Sequence, residues 1–178
     1  LFAVQHTIMA RPAFKKMITK IIPKAAERST FVFITNVIFV LIFWQWRPID
    51  GIIWNLENTV WAYVMHVFFW IGWGIVLLST FLIDHFDLFG LRQVTTYLQK
   101  KEYKPPRFVE KSLYKMVRHP LMLGFLIAFW ASPTMTLGHF IFTALTTGYI
   151  VVGITFEERD LIKHHGELYL QYARRVPM

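Results

Sequence analysis

Apolar and polar positions along this chain fall into long blocks, not into the two-residue alternation of a half-buried strand. Ser29 to Trp46, Trp61 to Ile83 and Leu137 to Phe156 are near-continuous apolar runs. Each approaches the ~20 residues a helix needs to cross a bilayer. A shorter run, Leu121 to Ala131, precedes the last of them, and Ser132-Pro133-Thr134 marks a turn between the two. Leu1 to Met9 reads as the tail of a further spanning helix, with Gln5 and His6 as its polar members. Beyond Glu157, the positions Leu161, His165, Leu168, Tyr169 and Tyr172 keep helical spacing, so the last span is expected to run on as an amphipathic helix. The pattern predicts an all-α integral membrane protein: a polytopic helical bundle with a C-terminal helical hairpin and an amphipathic cytoplasmic helix.

The polar blocks set boundaries and orientation. Pro105-Pro106 interrupts any helix in the stretch from Asp84 to Arg118. Pro120 suits a helix start, where its missing N–H has no intrahelical partner anyway. In chain order from the Arg11 loop to the C-terminal tail, the polar segments carry six, one, eight, zero and four Lys/Arg. This alternation predicts four complete spans with the basic segments cytoplasmic. Residues 1–178 then form one membrane domain, with residues 114–178 as its functional core. Leu1 lies inside an apolar run with no basic segment before it, so the sequence is expected to begin partway through a membrane helix and to stop short of a natural end.

Composition agrees with the pattern: 55% of residues are hydrophobic and 17% aromatic, with a mean hydropathy of +0.42. The formal net charge of +8 raises the possibility of nucleic acid. The cations flank apolar runs instead, as juxtamembrane charges do, and no nucleic-acid-binding motif accompanies them. The lipid bilayer is therefore the expected partner, and nucleic acid is not. The chain has no cysteine, which excludes disulfides and thiolate chemistry from the protein's own side chains. None of its seven histidines stands in the i, i+4 arrangement of a helical metal motif, and no metal is expected.

Polar groups bracket the hairpin. Val117-Arg118-His119-Pro120 opens it and Glu157-Glu158-Arg159-Asp160 closes it, followed by Gly166, Tyr169, Tyr172 and Arg174-Arg175-Val176-Pro177. Taken alone, Arg118-His119-Pro120 is a juxtamembrane basic pair before a helix-starting proline, and the two tyrosines are the apolar face of a surface helix. Two carboxylates, however, are poorly placed at a helix C-terminus, where the dipole favours cations. Either the helix continues past them or they have a partner. Both brackets are expected at one membrane surface, as the floor of a single site.

In this order and spacing, Arg-His-Pro, a Gly-containing apolar hairpin, Glu-Glu, Gly, two tyrosines and Val-Pro resemble the isoprenylcysteine carboxyl methyltransferase superfamily. A closer resemblance covers nearly the whole chain. Phe2-Ala3-Val4-Gln5-His6, Glu27-Arg28-Ser29-Thr30, Phe43-Trp44-Gln45-Trp46-Arg47-Pro48, His85-Phe86-Asp87-Leu88-Phe89-Gly90-Leu91-Arg92-Gln93-Val94 and Phe129-Trp130-Ala131-Ser132-Pro133-Thr134-Met135-Thr136 resemble bacterial methanethiol S-methyltransferases. The resemblance implies methylation of a small lipophilic thiol, methanethiol to dimethyl sulfide, with S-adenosylmethionine as cofactor. It also implies a multi-pass protein of the bacterial inner membrane with a cytoplasmic catalytic face, and another spanning helix ahead of Leu1. A weaker likeness, to the denitrification-associated branch, implies a non-enzymatic accessory role. A third implication is a methyltransferase for another lipophilic acceptor.

On this resemblance the cofactor-binding set is Tyr114, Arg118, His119, Pro120, Met122, Gly124, Glu157, Glu158, Tyr169, Tyr172 and Arg174. A guanidinium, Arg118 or Arg174, suits the cofactor's carboxylate through paired hydrogen bonds. Glu157 or Glu158 suits its ammonium or ribose, and Tyr169 or Tyr172 its adenine. Met122 stands where the superfamily commonly has Tyr and is expected to make a packing contact only. The thiol must lose a proton, for which His85 and Glu158 are the catalytic candidates. Asp87, Arg92 and Gln93 are expected to line the substrate pocket. A competing reading makes Asp84, His85 and Asp87 a plain cap on the membrane end of the preceding span.

Overall fold

The computed structural model of the chain describes residues 1–105 and 110–178. Pro106, at which the expected helix break partly falls, and Arg107 lie outside the described residues. In chain order the elements are α1 (Phe2–Ala10), α2 (Pro12–Ile18), α3 (Glu27–Trp44), β1 (Ile52–Asn55), α4 (Val60–Ile83), α5 (His85–Leu88), α6 (Leu91–Leu98), α7 (Pro120–Trp130), β2 (Thr134–Thr136), α8 (Leu137–His165) and α9 (Glu167–Arg175). The chain divides into two compact units. One holds Leu1–Arg47 and, from Ile83, the described residues up to Pro105; the other holds Pro48–Leu82 and the described residues from Glu110 to Met178.

The protein is an all-α membrane protein with one short two-stranded sheet. Among the described residues, α3 with the 3-10 turn before it, α4 and α8 are long and apolar enough to cross a membrane. The expected fourth span, α7, has only 11 residues, a rise of about 16 Å against a hydrocarbon core of about 30 Å. The two basic stretches are also less loop-like than expected. Pro12 starts α2 inside the first of them, and α5 and α6 occupy much of the second.

In the first unit, α1 packs along α3. Gln5 Nε2 reaches Thr35 Oγ1 at 3.3 Å, the Phe2 and Phe39 rings stack at 4.8 Å, and His6 meets Phe31 edge-on. Gly90, at φ +79°, lets the backbone before α6 press against Ser29, where a Cβ would lie 2.5 Å from the Ser29 nitrogen.

In the second unit, α4, α7 and α8 make the apolar body. A Cβ on Gly72 would lie 2.6 Å from the Ala128 nitrogen and one on Gly124 2.8 Å from the Gly72 carbonyl, so α4 and α7 pack backbone to backbone. An aromatic series fills the flanks, Trp73 meeting Phe125 and Phe129, and Phe129 meeting Phe142. Trp130 Nε1 donates to Thr147 Oγ1 at 3.0 Å, tying α7 to α8. The expected turn at Ser132-Pro133-Thr134 is present, and it leads into β2. That strand pairs antiparallel with β1, Asn55 opposite Thr134 and Ile52 opposite Thr136, and its central residue, Met135, is fully buried.

The short α7 does not leave the hairpin out of register. From Leu137 to Glu158, α8 climbs 21 helical steps, about 31 Å at 1.5 Å each. The returning arm makes its climb with the 11 residues of α7 and, ahead of α8, the turn and strand of residues 131–136, and His119 Nε2 arrives 2.6 Å from Glu158 Oε1. The last span runs on past Phe156 to His165, as the spacing predicts, and then breaks at Gly166 before α9.

Candidate functional site

Glu158 is the centre of a polar cluster formed where the hairpin's two ends meet. It lies on α8 and is 9% exposed, in a helix that is otherwise apolar over most of its length. Arg118, just ahead of α7, donates through Nη1 to Glu158 Oε2. His119 Nε2 lies 2.6 Å from Glu158 Oε1, and the Tyr169 hydroxyl donates to that same oxygen at 2.6 Å. Three donors from three segments thus satisfy one carboxylate. The Arg118 and Glu158 side chains are each 11% exposed, so this is a buried ion pair with its lone pairs occupied.

Local structure explains why these side chains converge. Pro120 opens α7 and leaves His119 as its N-cap, at φ −123° and ψ 60°, which turns the imidazole toward α8. Arg118 is fixed by its backbone as well, since its N–H donates to the Pro177 carbonyl at 2.9 Å. Beyond the Gly166 break, α9 folds back so that Tyr169 and Tyr172 are 1% and 2% exposed. Tyr172 donates to the Tyr114 carbonyl at 2.6 Å, and Arg175 forks onto Glu110 at 3.1 and 3.2 Å.

Burial and the Glu158 hydrogen bond raise the Tyr169 hydroxyl well above its ordinary range. Burial, followed by the Glu157 charge, does the same at Tyr114. Both are therefore protonated donors throughout the physiological range. Two groups keep hydrogen-bonding capacity that the cluster does not use. The Arg118 Nε is buried with no hydrogen-bond partner, and the Glu157 carboxylate, 3.6 Å from His119 Nδ1, is 49% exposed.

The structure brings together Tyr114, Arg118, His119, Pro120, Glu157, Glu158, Tyr169 and Tyr172. Tyr169 is engaged on Glu158, so its hydroxyl is committed within the protein. Arg174 stays at the surface, 75% exposed and 4.0 Å from Glu167. Gly124 serves the α4–α7 contact. Sequence reasoning missed Glu110 and the Pro177 carbonyl as partners of the site, and no spacing pattern marks either.

A second polar cluster lies in the first unit. Asp84 caps α5, with Oδ1 accepting from the Asp87 N–H at 3.1 Å and Oδ2 from Arg92 Nη1 at 2.5 Å. Asp87 is 7% exposed and accepts from the Tyr103 hydroxyl at 2.8 Å. Gln93 Nε2 reaches both the Asp87 carbonyl and Tyr103 Oη, at 3.2 and 3.3 Å, while its Oε1 is buried without a partner. Burial, then the bond to Asp87, raises the Tyr103 hydroxyl. His85 packs edge-on to Phe86 and against Phe89. Tyr103 is the member that sequence reasoning overlooked: it stands 16 residues from Asp87, outside any helical repeat. Among the described residues, no group of three His, Cys, Asp or Glu is arranged to hold a metal ion.

Over all 178 residues the chain is 51% identical to a methanethiol S-methyltransferase of Crocosphaera subtropica, of which it covers 70%. It is 52% identical over the same length to methanethiol S-methyltransferase 1 of Bradyrhizobium diazoefficiens, of which it covers 62%. A more distant likeness, 26% over 174 residues, is to Nurim of Mus musculus; it spans 90% of this chain and 64% of that protein. The chain thus spans about two thirds of the length of the curated relatives it matches. No protein-family model and no solved structure matches it.

Proposed function

The chain belongs to the methanethiol S-methyltransferase family, and on that footing we propose that it methylates methanethiol to dimethyl sulfide using S-adenosylmethionine. The site faces the cytoplasm of a bacterial inner membrane, the side on which the basic segments lie. The observation that carries the reading is the convergence of Arg118, His119 and Tyr169 on Glu158, beside a buried guanidinium nitrogen that lacks an acceptor.

The donor set suits the cofactor. Arg118 Nε would take a carboxylate oxygen, and the exposed Glu157 carboxylate would take an ammonium or a ribose hydroxyl. Tyr114 and Tyr172 would border the nucleoside, with Met122 as an apolar contact. When bound, the cofactor supplies an electrophilic methyl group on a cationic sulfur. Glu158, already satisfied by three donors, holds Arg118 and His119 in place and is poorly suited to take a proton. On the family resemblance, His85 is the base proposed for the thiol proton, with Asp87, Arg92 and Gln93 of the first unit as the proposed thiol-contacting residues. Opposite charges vanish as the thiolate is methylated, so a poorly hydrated membrane setting favours the step.

Titration calorimetry with S-adenosylhomocysteine tests the cofactor reading, and headspace assay of dimethyl sulfide tests the acceptor. No heat at millimolar ligand sinks the first. Heat without dimethyl sulfide production leaves the cofactor site standing and removes methanethiol as the acceptor.

A further inference from the structure

The apolar side of α6, in the first unit, is a surface that the proposed reaction does not use. The entry to α6 is fastened to the first turn of α3. Arg28 Nε donates to the Leu88 carbonyl at 2.7 Å, and Ser29 Oγ to the Gly90 carbonyl at 2.9 Å. Because α3 is long and apolar enough to cross a membrane, its first turn marks the level at which the chain enters hydrocarbon. These two bonds therefore hold α6 at headgroup depth.

At 100° per residue, Leu91, Val94, Tyr97 and Leu98 share one side of α6, and Arg92, Gln93 and Thr96 the other. The apolar side is uncovered: Leu98 is 72% exposed, Leu91 49%, and Phe86, just ahead of the helix, 60%. Phe86 and Leu91 also line a shallow groove of about 330 Å³, whose other wall is the polar set Asp84, Arg92 and Thr95. Cations edge the same helix. Lys100, Lys101 and Lys104 follow it, all exposed, and the 3-10 turn that carries Lys24 packs against it. Of the nearby acids, Asp84 is bound to Arg92 and Glu27 to Lys15. Among the described residues, the exposed Lys24, Lys100, Lys101 and Lys104 thus outnumber the nearby acids with no cation bound, Asp87 and Glu102.

An uncovered apolar stripe at headgroup depth, edged by lysines, has the chemistry of an interfacial helix on an anionic leaflet. We propose that α6 lies in the plane of the membrane surface as an amphipathic anchor, and that its lysine rim selects anionic phospholipid of the phosphatidylglycerol type. Leu91, Leu98 and Phe86 enter the acyl boundary, and Lys100, Lys101 and Lys104 face the phosphates.

The chain has no cysteine, so Leu98→Cys carrying an environment-sensitive fluorophore reports from one place. In nanodiscs of phosphatidylcholine with phosphatidylglycerol, a lipid-borne quencher should suppress the label and aqueous iodide should barely reach it. Replacing Lys100, Lys101 and Lys104 with Gln should move the inserted-to-exposed ratio outward by about fivefold per lysine. Added salt should erode the preference for the anionic membrane in the labelled protein with its lysines intact. That titration carries the test should the triple variant not fold. Equal insertion in phosphatidylcholine with and without phosphatidylglycerol overturns the proposal. So does a label open to iodide in both membranes, or one shielded from both quenchers, which would place a protein partner on α6.

Discussion

Replacing Glu158 with Gln isolates what the three-donor carboxylate contributes. Gln keeps the shape and one acceptor oxygen, but puts an NH₂ group where Arg118, His119 and Tyr169 all direct donors. Whichever way the amide turns, Arg118 loses its anion and becomes an unpaired cation at 11% exposure. Removing one partner of a buried pair typically costs about 3–5 kcal/mol. The surface pair Arg174–Glu167, with side chains 75% and 62% exposed, supplies the control: Glu167→Gln should cost no more than about 0.5 kcal/mol. Both variants are compared by reversible unfolding in mixed detergent micelles, followed by tryptophan fluorescence. Replacing Arg118 and Glu158 together with Met should recover most of the loss, because no charge is left stranded. S-adenosylhomocysteine binding should be lost in that double variant despite its recovered stability. The reasoning fails if Glu158→Gln costs within about 1 kcal/mol of Glu167→Gln, or if the two single Met changes simply add.

Tyr169→Phe removes one donor to a buried charged acceptor and should cost about 1.5–3 kcal/mol by the same unfolding measurement. Because the folded-state hydroxyl is raised, its contribution is fully present below the unfolded value of about 10 and is lost as pH rises from there through the folded one. The unvaried protein should therefore lose stability above about pH 10, and Tyr169→Phe should flatten that alkaline limb. Gly72→Ala, whose Cβ would meet the Ala128 backbone at 2.6 Å, should cost about 1–3 kcal/mol by overpacking α4 against α7. Gly74→Ala, with nothing within 4 Å, should be neutral or slightly stabilising, and equal melting temperatures for the two would refute the close-packing account. Gly90→Ala, at φ +79° and against Ser29, should lower the melting temperature, and limited proteolysis should show cleavage in residues 84–100.

The spans were legible because a bilayer imposes one length and one composition on any helix that crosses it. Ser29 to Trp46 and Trp61 to Ile83 match α3 and α4 to within two residues at each end. The β1–β2 pairing was not legible. Ile52-Ile53-Trp54 has strand composition, but a four-residue strand becomes visible only once its partner, 80 residues away, is placed opposite it. The polar set of the site was legible as residue types at a fixed order. What the sequence did not reveal was who bonds whom. Arg118 looked like a ligand for a bound carboxylate, whereas its Nη1 is occupied by Glu158 and its Nε is buried without an acceptor. Asp87 and Gln93 were visible in one short loop, but the Tyr103 hydroxyl that joins them is brought in by chain reversal beyond α6.

The division of labour between the two adjacent carboxylates follows from helix geometry alone. Successive residues on a helix point about 100° apart, so Glu157 and Glu158 cannot both face His119 and Arg118. Glu158 points inward. There, a bare anion against apolar helices would be far more costly than a paired one, and the surrounding donors are fixed by Pro120, by the Pro177 carbonyl and by the packing of α9. Glu157 falls one step round the helix, at the rim, where it keeps half its surface and lies 3.6 Å from the far nitrogen of the same imidazole. One acid is thereby committed to the architecture and the other left exposed at the rim, with His119 between them as the shared contact.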